Sequence, residues 1–439
     1  MRWRCLGEVA KQLGNEDEAV TNPKPYDIPK RRVLEAYRQV RANRGAAGID
    51  GESLAMFEAD LSRNLYKLWN RLSSGSYLPP PVRQVGIPKK DGGVRILGVP
   101  TVADRIAQQI VVTRIGADLY GVFHPNSYGY QRGKSAVDAV AATRKRCWAY
   151  AWVVEFDIRR AFDELDWGLL RKAIAKHVLD PWCLLYIERW LTASAVSPDG
   201  QPVERIKGVP QGSVIGPVLM NLFMTYAFDE WMKREHPKTP FCRYADDAVA
   251  HCRSESEAKK LLAAIENRLR ECKLEMHPEK SGIVYCKDSN RRNEYRKTGF
   301  AFLGYEFRPR IAKGRDGRIW TSFLPAISAT AKKRIMQAIR EWKLPRQTSI
   351  SLNELAKLYN PQIRGWMNYY RHFYRSALHR LYDHIDQKLV RWAQHKYRKL
   401  AGRQARARAW LRKVVSRQPR LFVHWLAHGR VAVRTMGAV

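Results

Sequence analysis

The sequence predicts an α+β fold that gives way to a helical, strongly basic final third. Three observations carry that prediction. Short apolar runs bounded by Gly, Pro and Asp recur through the first 310 residues and read as strands. Between them lie longer stretches with apolar residues at helical spacing, such as Val33, Leu34, Tyr37 and Val40. From Ala329 onward the strand patterns cease and the helical ones continue.

Size and charge narrow the function classes. With 439 residues, 45% of them hydrophobic, the chain can bury large cores, and about two to four domains are expected. The formal net charge of +36 exceeds any need for solubility and points to a polyanionic partner, nucleic acid first. No uninterrupted apolar run approaches the ~18 residues of a membrane span, and the N-terminus lacks the apolar core of a signal peptide. A cytoplasmic protein without a membrane partner is expected. Seven cysteines without a Cys-x-x-Cys pair argue against a disulfide framework or a zinc module, so reduced packing thiols are expected.

Taken in order, residues 1–25 are polar and close on Asn22-Pro23-Lys24-Pro25, which predicts a loose leader. Residues 26–78 read as a helical extension: a helix over 31–41, a glycine-rich turn from Arg44 to Gly51, and a second helix from Ser53 to about Leu72. From Val85 to Pro100, two strands flank an Asp91-Gly92-Gly93 turn, a hairpin pattern carrying Lys89 and Arg95. Arginine on a firm scaffold suits forked contact with phosphate oxygens; a solvated basic hairpin fits the same pattern. A helix from Ala103 to about Leu119 follows.

In Ser127–Ser135, Gly129 and Gly133 enclose three residues where a phosphate loop requires four, so that reading fails. Ser135 and Asp138 instead form a capping box for a helix to about Trp148, leaving Arg132 and Lys134 as candidates for backbone phosphates. The apolar strand from Ala151 ends at Asp157, and an acid there is costly unless it is used. Two helices divided near Asp180-Pro181 come next, then a rigid loop, Gly208 to Pro217, feeding an apolar helix from Val218 to about Trp231.

From Phe241 to His251 a strand, a tight turn and a second strand place Asp246 and Asp247 side by side. A solvated turn is one reading. The other is a cation site, because adjacent like charges are costly unless neutralised, and oxygen-only ligands shared with substrate phosphates suit Mg²⁺. A helix from Glu255 to about Cys272 follows, then His277–Ser281, a strand over 282–286 and another over 300–307. Residues 311–439 hold 28 Lys and Arg against 5 Asp and Glu, a surplus of 23. Within them Arg364, Trp366, Tyr369, Tyr370, Arg371, Phe373, Tyr374 and Arg375 interleave aromatics with arginines, which suits either stacking on nucleic acid or an aromatic stripe packed inward.

These blocks, in this order, resemble reverse transcriptases of the bacterial group II intron type, the maturases, over roughly residues 26–425. Arg44–Gly51 resembles the N-terminal extension block, Ile87–Pro100 the fingers hairpin and Ser127–Ser135 the second fingers block. Phe156–Asp166 looks like the first palm acid motif, Val209–Pro217 the Pro-Gln-Gly block and Tyr244–Asp247 the signature. His277–Ser281 and Phe302–Phe307 resemble the last palm blocks, and Asn360–Tyr370 the maturase thumb.

The resemblance implies a right-hand polymerase. Its fingers and palm, an antiparallel sheet flanked by helices, would span residues 79–310. An all-α basic thumb would span 311–400, and a nucleic-acid-binding tail 401–439. It implies RNA-directed DNA synthesis with two Mg²⁺ ions, or Mn²⁺ in their place, held by Asp157, Ile158, Asp246 and Asp247. Lys89 and Arg95 would meet the deoxynucleoside triphosphate, Gln211 would line its pocket, and Phe162 would exclude a sugar 2′-hydroxyl. Arg132, Lys134, Lys280, Arg364, Trp366, Arg371 and Arg375 would contact RNA template, DNA primer or structured intron RNA. The resemblance also covers a group II-like reverse transcriptase recruited to phage defence, repair or spacer acquisition, and a splicing cofactor that no longer polymerises. The chain departs from the usual pattern at Ser213 and Gly216, where a glycine and a later serine are common, and at Leu165 and Trp167, where Phe-Asp-x-Ile-Asp-His is common after the first acid. No C-terminal endonuclease is expected, since no cysteine follows Cys286.

Overall fold

The computed structural model describes residues 24–88, 93–119, 121–314 and 316–428. Most of the expected leader, Lys89 and the last eleven residues of the expected tail lie outside them. Helices and three antiparallel-rich sheets alternate up to Ile327, and helices alone follow.

A four-stranded sheet forms the centre. Its strands are β3 (Trp152–Phe156), β6 (Phe241–Tyr244), β7 (Asp247–Cys252) and β8 (Gly282–Tyr285), in the order β6-β7-β3-β8. Strand β3 pairs antiparallel with both neighbours, Phe156 opposite Ala248 and Val154 opposite Ile283. Successive side chains of a strand point to opposite faces, and here both faces are covered. Trp152, Val154, Phe156, Ala248 and Ala250 enter one core with helices Gly216–Met224 and Glu255–Glu271. Val153, Val249 and Val284 enter a second core with helix Ala136–Ala149 and the C-terminal helices. That is why these strands read as continuous apolar runs rather than alternating ones.

A second sheet, β2-β1-β4-β5, holds the basic hairpin: β1 (Val82–Pro88) pairs antiparallel with β2 (Val94–Val99), from Arg83 opposite Val99 to Pro88 opposite Val94. Strands β4 (Ala195–Val196) and β5 (Pro202–Val203) extend it. Ser135 and Asp138 form both halves of the expected capping box. A second such box, Ser351 with Glu354, starts helix Leu352–Tyr370.

Four expectations change. The helix expected from Ser53 breaks at Asp60, with φ −129° and ψ 57°, into Leu54–Ala59 and Leu61–Ser73. The apolar helix after Pro217 contains a π-helical turn, Thr225–Asp229, whose Tyr226 and Ala227 carbonyls accept from Arg268 at 3.0 Å each. The single strand expected over 300–307 is a tight hairpin, β9 (Phe300–Phe302) and β10 (Tyr305–Lys313), turning through Leu303 at φ +50° and Gly304 at φ +77°. Leu-Gly lacks the Asn or Asp that usually marks such a turn, so the run read as continuous. Finally, β10 pairs with β11 (Ile319–Ile327) across the expected boundary at residue 311, and the helical part begins at Ala329.

Candidate active site

The turn between β6 and β7 is built around an uncomfortable backbone. Tyr244 pairs with Asp247, so only Ala245 and Asp246 make the reversal, and Ala245 takes φ +57°. For a residue with a Cβ this costs of order 1 kcal/mol and must be held by its surroundings. Arg243, one residue earlier, holds it. Its guanidinium donates to the Ala245 carbonyl at 2.8 Å, to Asn221 Oδ1 at 3.0 Å and to both Asp229 carboxylate oxygens at 2.7 and 2.5 Å. The side chains of Arg243 and Asp229 are both 0% exposed. Asn221 in turn donates to the Gly129 carbonyl, and Gly129 lies so close that a Cβ there would sit 2.7 Å from the Ala245 nitrogen. The glycine that suggested a phosphate loop is instead the floor under the acid turn.

Asp157 arrives from the end of β3. Its N–H donates to Ser281 Oγ at 3.2 Å, its carbonyl accepts from the His277 N–H at 2.8 Å, and its carboxylate pairs with Lys280 Nζ at 2.9 Å. Ile158 faces Met276 across an isolated bridge whose bonds run through Arg159 and Asp157, so the Ile158 carbonyl takes no part in them. The three acids feel one another. Burial raises the Asp246 carboxyl and the Asp157 charge raises it further, against Arg95 and Arg243. Burial, then Asp246, then Asp157 push Asp247 up to about 8, opposed by the Leu303 N–H.

Among the described residues, no three Asp, Glu, His or Cys side chains converge tightly enough to grip a metal ion as they stand. The donor chemistry nevertheless fits a hard divalent cation: oxygen-only, partly buried, and repelling itself until positive charge arrives.

The Val209–Gly212 loop joins the Phe162 segment to the basic hairpin. The Val209 N–H donates to the Phe162 carbonyl at 2.8 Å, and the Gln211 carbonyl accepts from the Gly98 N–H at 2.7 Å. Gln211 Nε2 reaches Asp163 at 3.3 and 3.4 Å. Phe162 is half-buried beside this loop. Arg95 stands exposed on β2, near enough for its charge to favour ionised Asp246. Ser213 and Gly216 prove complementary. Ser213 Oγ donates to the Pro210 carbonyl at 2.8 Å and accepts the Gly216 N–H at 3.1 Å, and a Cβ on Gly216 would meet that same Oγ at 2.6 Å. The Ser213 hydroxyl thus fills the space that a side chain at position 216 would need. Gly216→Ser alone should therefore lower stability by about 1–3 kcal/mol through overpacking. Adding Ser213→Gly should return most of it, as thermal unfolding of the single and double variants would show.

Two nucleic-acid candidates have partners within the protein. Lys134 donates to the carbonyls of Ser127, Pro125 and His124 at 2.7, 3.0 and 3.3 Å, so its ammonium ties a loop together and has no donor left for a phosphate. Lys280, its side chain 58% exposed, pairs with Asp157 at 2.9 Å. Arg132, Arg364, Arg371 and Arg375 are exposed, whereas Trp366 is half-buried and stacked on Trp342 at 5.6 Å. Sequence reasoning missed Arg243, Asp229 and Asn221. The one available signal was an arginine inside an otherwise apolar strand.

Residues 87–307 match the family model "Reverse transcriptase (RNA-dependent DNA polymerase)", and residues 332–410 match "Group II intron, maturase-specific domain". Protein YkfC of Escherichia coli (strain K12) is 29% identical over 317 residues, which cover 62% of this chain and 79% of that protein. The group II intron-encoded protein LtrA of Lactococcus lactis subsp. cremoris is 28% identical over 213 residues, 48% of this chain and 35% of LtrA. The chain thus spans most of the first relative and about a third of the second.

Proposed function

Because the chain belongs to the reverse transcriptase family, by a match over just over half its length, we propose that it is an RNA-directed DNA polymerase that also grips structured intron RNA and assists its splicing. The polymerase half rests on one observation: Asp157 at the end of β3 meets Asp246 and Asp247 of the β6–β7 turn at one end of the central sheet, where burial first and then the charges of Asp246 and Asp157 push Asp247 up to about 8. In this reading the central sheet is the palm, the β1–β2 hairpin belongs to the fingers, and the helices from Ala329 form the thumb.

Asp157, Asp246 and Asp247, with the Ile158 carbonyl beside them, would hold two Mg²⁺ ions, and Mn²⁺ suits the same oxygens. Bound there, the ions would acidify the primer 3′-hydroxyl and stabilise the attacking and leaving oxygens of an in-line displacement. The rest is positioning by this chain. Lys280 pairs with the Asp157 carboxylate and orients it. Arg95, with Lys89, meets the triphosphate of an incoming deoxynucleotide. The Val209–Gly212 loop, bonded to Gly98 on one side and Phe162 on the other, sets the span between hairpin and acids. Phe162 walls the place of the sugar 2′-hydroxyl, and Gln211 lines the pocket.

The splicing half rests on the maturase-specific match and on the surplus of 23 basic residues in 311–439. Exposed Arg364, Arg371 and Arg375 would grip RNA phosphates in a salt-sensitive way. No helix among the described residues is long and apolar enough to cross a membrane, and we place the protein in the bacterial cytoplasm.

The test is extension of a DNA primer on an RNA template with Mg²⁺ and deoxynucleotides. Asp246→Ala with Asp247→Ala should reduce the rate by about three orders of magnitude or more, since positioned charge is the catalysis, while RNA binding stays intact. Absence of extension by the unmutated protein, with tight intron RNA binding, would favour the splicing cofactor that does not polymerise.

A further inference from the structure

Two polar side chains lie buried one turn apart in helix Val102–Asp118, and the proposed polymerase chemistry uses neither: Asp104 is 1% exposed and Gln108 2%. Gln108 Oε1 accepts the Val214 N–H at 2.8 Å and the Ile215 N–H at 3.2 Å. Those two donors follow the loop that carries Gln211 and lead into helix Gly216–Met224. A backbone N–H can only donate, so the Gln108 oxygen must face the loop and its Nε2 must face away. There Nε2 donates to Asp104 Oδ2 at 2.9 Å. The other carboxylate oxygen, Oδ1, accepts the Tyr77 hydroxyl at 2.9 Å and the Trp190 Nε1–H at 2.7 Å.

The segment from Val209 to Ile215 is therefore tied at both ends. At its start the Val209 N–H donates to the Phe162 carbonyl, and at its end Gln108 takes two N–H groups. Between the ties Gly212 has φ +107°, and a Cβ there would sit 2.8 Å from the Gly98 carbonyl oxygen, so only glycine lets the loop pass this close to β2. Satisfying the free N–H groups at a helix start would by itself account for Gln108. It does not account for Asp104, a buried carboxylate held by three neutral donors, which is expensive to keep. An amide has nearly the same shape either way round, and the carboxylate selects the way that leaves an acceptor for the loop.

We propose that Gln108, aligned by Asp104, is a positioning residue for the incoming nucleotide: it anchors the far end of the Val209–Ile215 segment and so fixes Gln211, and the Phe162 segment bonded to the same loop, at the nucleotide pocket. The inference rests on the polymerase reading for what enters that pocket. The relay demands one carboxylate and one amide, with an acceptor facing the loop. Asp104→Asn keeps the shape but puts an N–H where Oδ2 stood. Gln108 must then turn to accept it, which leaves its own Nε2 facing two N–H donors. Swapping the pair, Asp104→Asn with Gln108→Glu, satisfies every group again. The new amide accepts from Tyr77 and Trp190 and donates to the new carboxylate, which accepts both loop N–H groups.

Single-nucleotide extension of a DNA primer on RNA with the deoxynucleotide concentration varied, together with hydrogen exchange of the Val214 and Ile215 amides, tests this on the full chain. Asp104→Asn should raise the nucleotide KM about tenfold, the worth of one or two backbone hydrogen bonds, hold kcat within about twofold and speed exchange of both amides. The swapped pair should bring KM and exchange back near the unmutated values. Tyr77→Phe, which removes a donor from Oδ1 alone, should lower the melting temperature and leave KM unchanged. A KM unmoved by Asp104→Asn, raised equally by Tyr77→Phe, or not restored in the swapped pair would overturn the proposal while extension itself stands. Absence of extension by the unmutated protein would sink the polymerase reading and the nucleotide role with it.

Discussion

Arg243→Met should lower folding stability by about 3–5 kcal/mol in urea unfolding, because it strands the Asp229 carboxylate where water does not reach. The loss is of the size reserved for breaking a buried charge pair, and it exceeds what the packing volume alone would cost. The informative variant is the double one. Replacing both partners by apolar residues, Arg243→Met with Asp229→Leu, removes both charges together and should recover much of the stability. It does not replace the donor to the Ala245 carbonyl, nor the one to Asn221. Primer extension should therefore stay depressed in a protein that folds. Recovery of both stability and extension would show that the pair only packs.

The second large effect is a pH dependence with an unusual sign. An aspartate that gains a cationic partner on folding usually stabilises the protein as pH rises. Asp247 is the reverse, since its carboxyl, ordinarily near 3.8, is pushed up to about 8 by burial and by the charges of Asp246 and Asp157. The folded protein holds that proton while the unfolded chain releases it. Stability from this group is therefore greatest below about 4, falls as pH rises towards about 8, and then levels off. The metal-free protein should lose a few kcal/mol over that window relative to Asp247→Asn, which has no proton to lose. Unfolding of the two proteins in chelator at pH 5 and pH 8 measures the difference. Mg²⁺ should stabilise the unmutated protein more at pH 8 than at pH 5, because it binds the ionised form. A flat difference between the proteins would mean that Asp247 is not crowded by its neighbours.

Much of the site was legible because its chemistry leaves local marks. Paired acids in a two-residue turn, an acid closing an apolar strand and a capping box are each visible within a few residues. The supporting groups leave no such mark. Asp229 reads as one polar residue at the end of an apolar helix, and Asn221 as another, until Arg243 from a strand 14 residues after Asp229 meets both. The partners of Lys134 and Lys280 were hidden for the same reason. A lysine beside glycines or before a strand is unassigned in sequence, and only the fold shows three carbonyls around one and a carboxylate against the other. The hairpin at Leu303 was hidden because Leu-Gly carries no usual turn signature, and its bond to Tyr369, 66 residues on, is tertiary.

By itself, the sequence determined the α+β class, the order of the blocks, the acids and the basic final third, since these follow from short-range periodicity and residue chemistry. Only the tertiary structure decided which acid is crowded, which cations are already spent and which distant helix touches the Leu303 turn. Burial and pairing are properties of contacts between segments far apart in the chain, and an amino-acid pattern carries no distance between them.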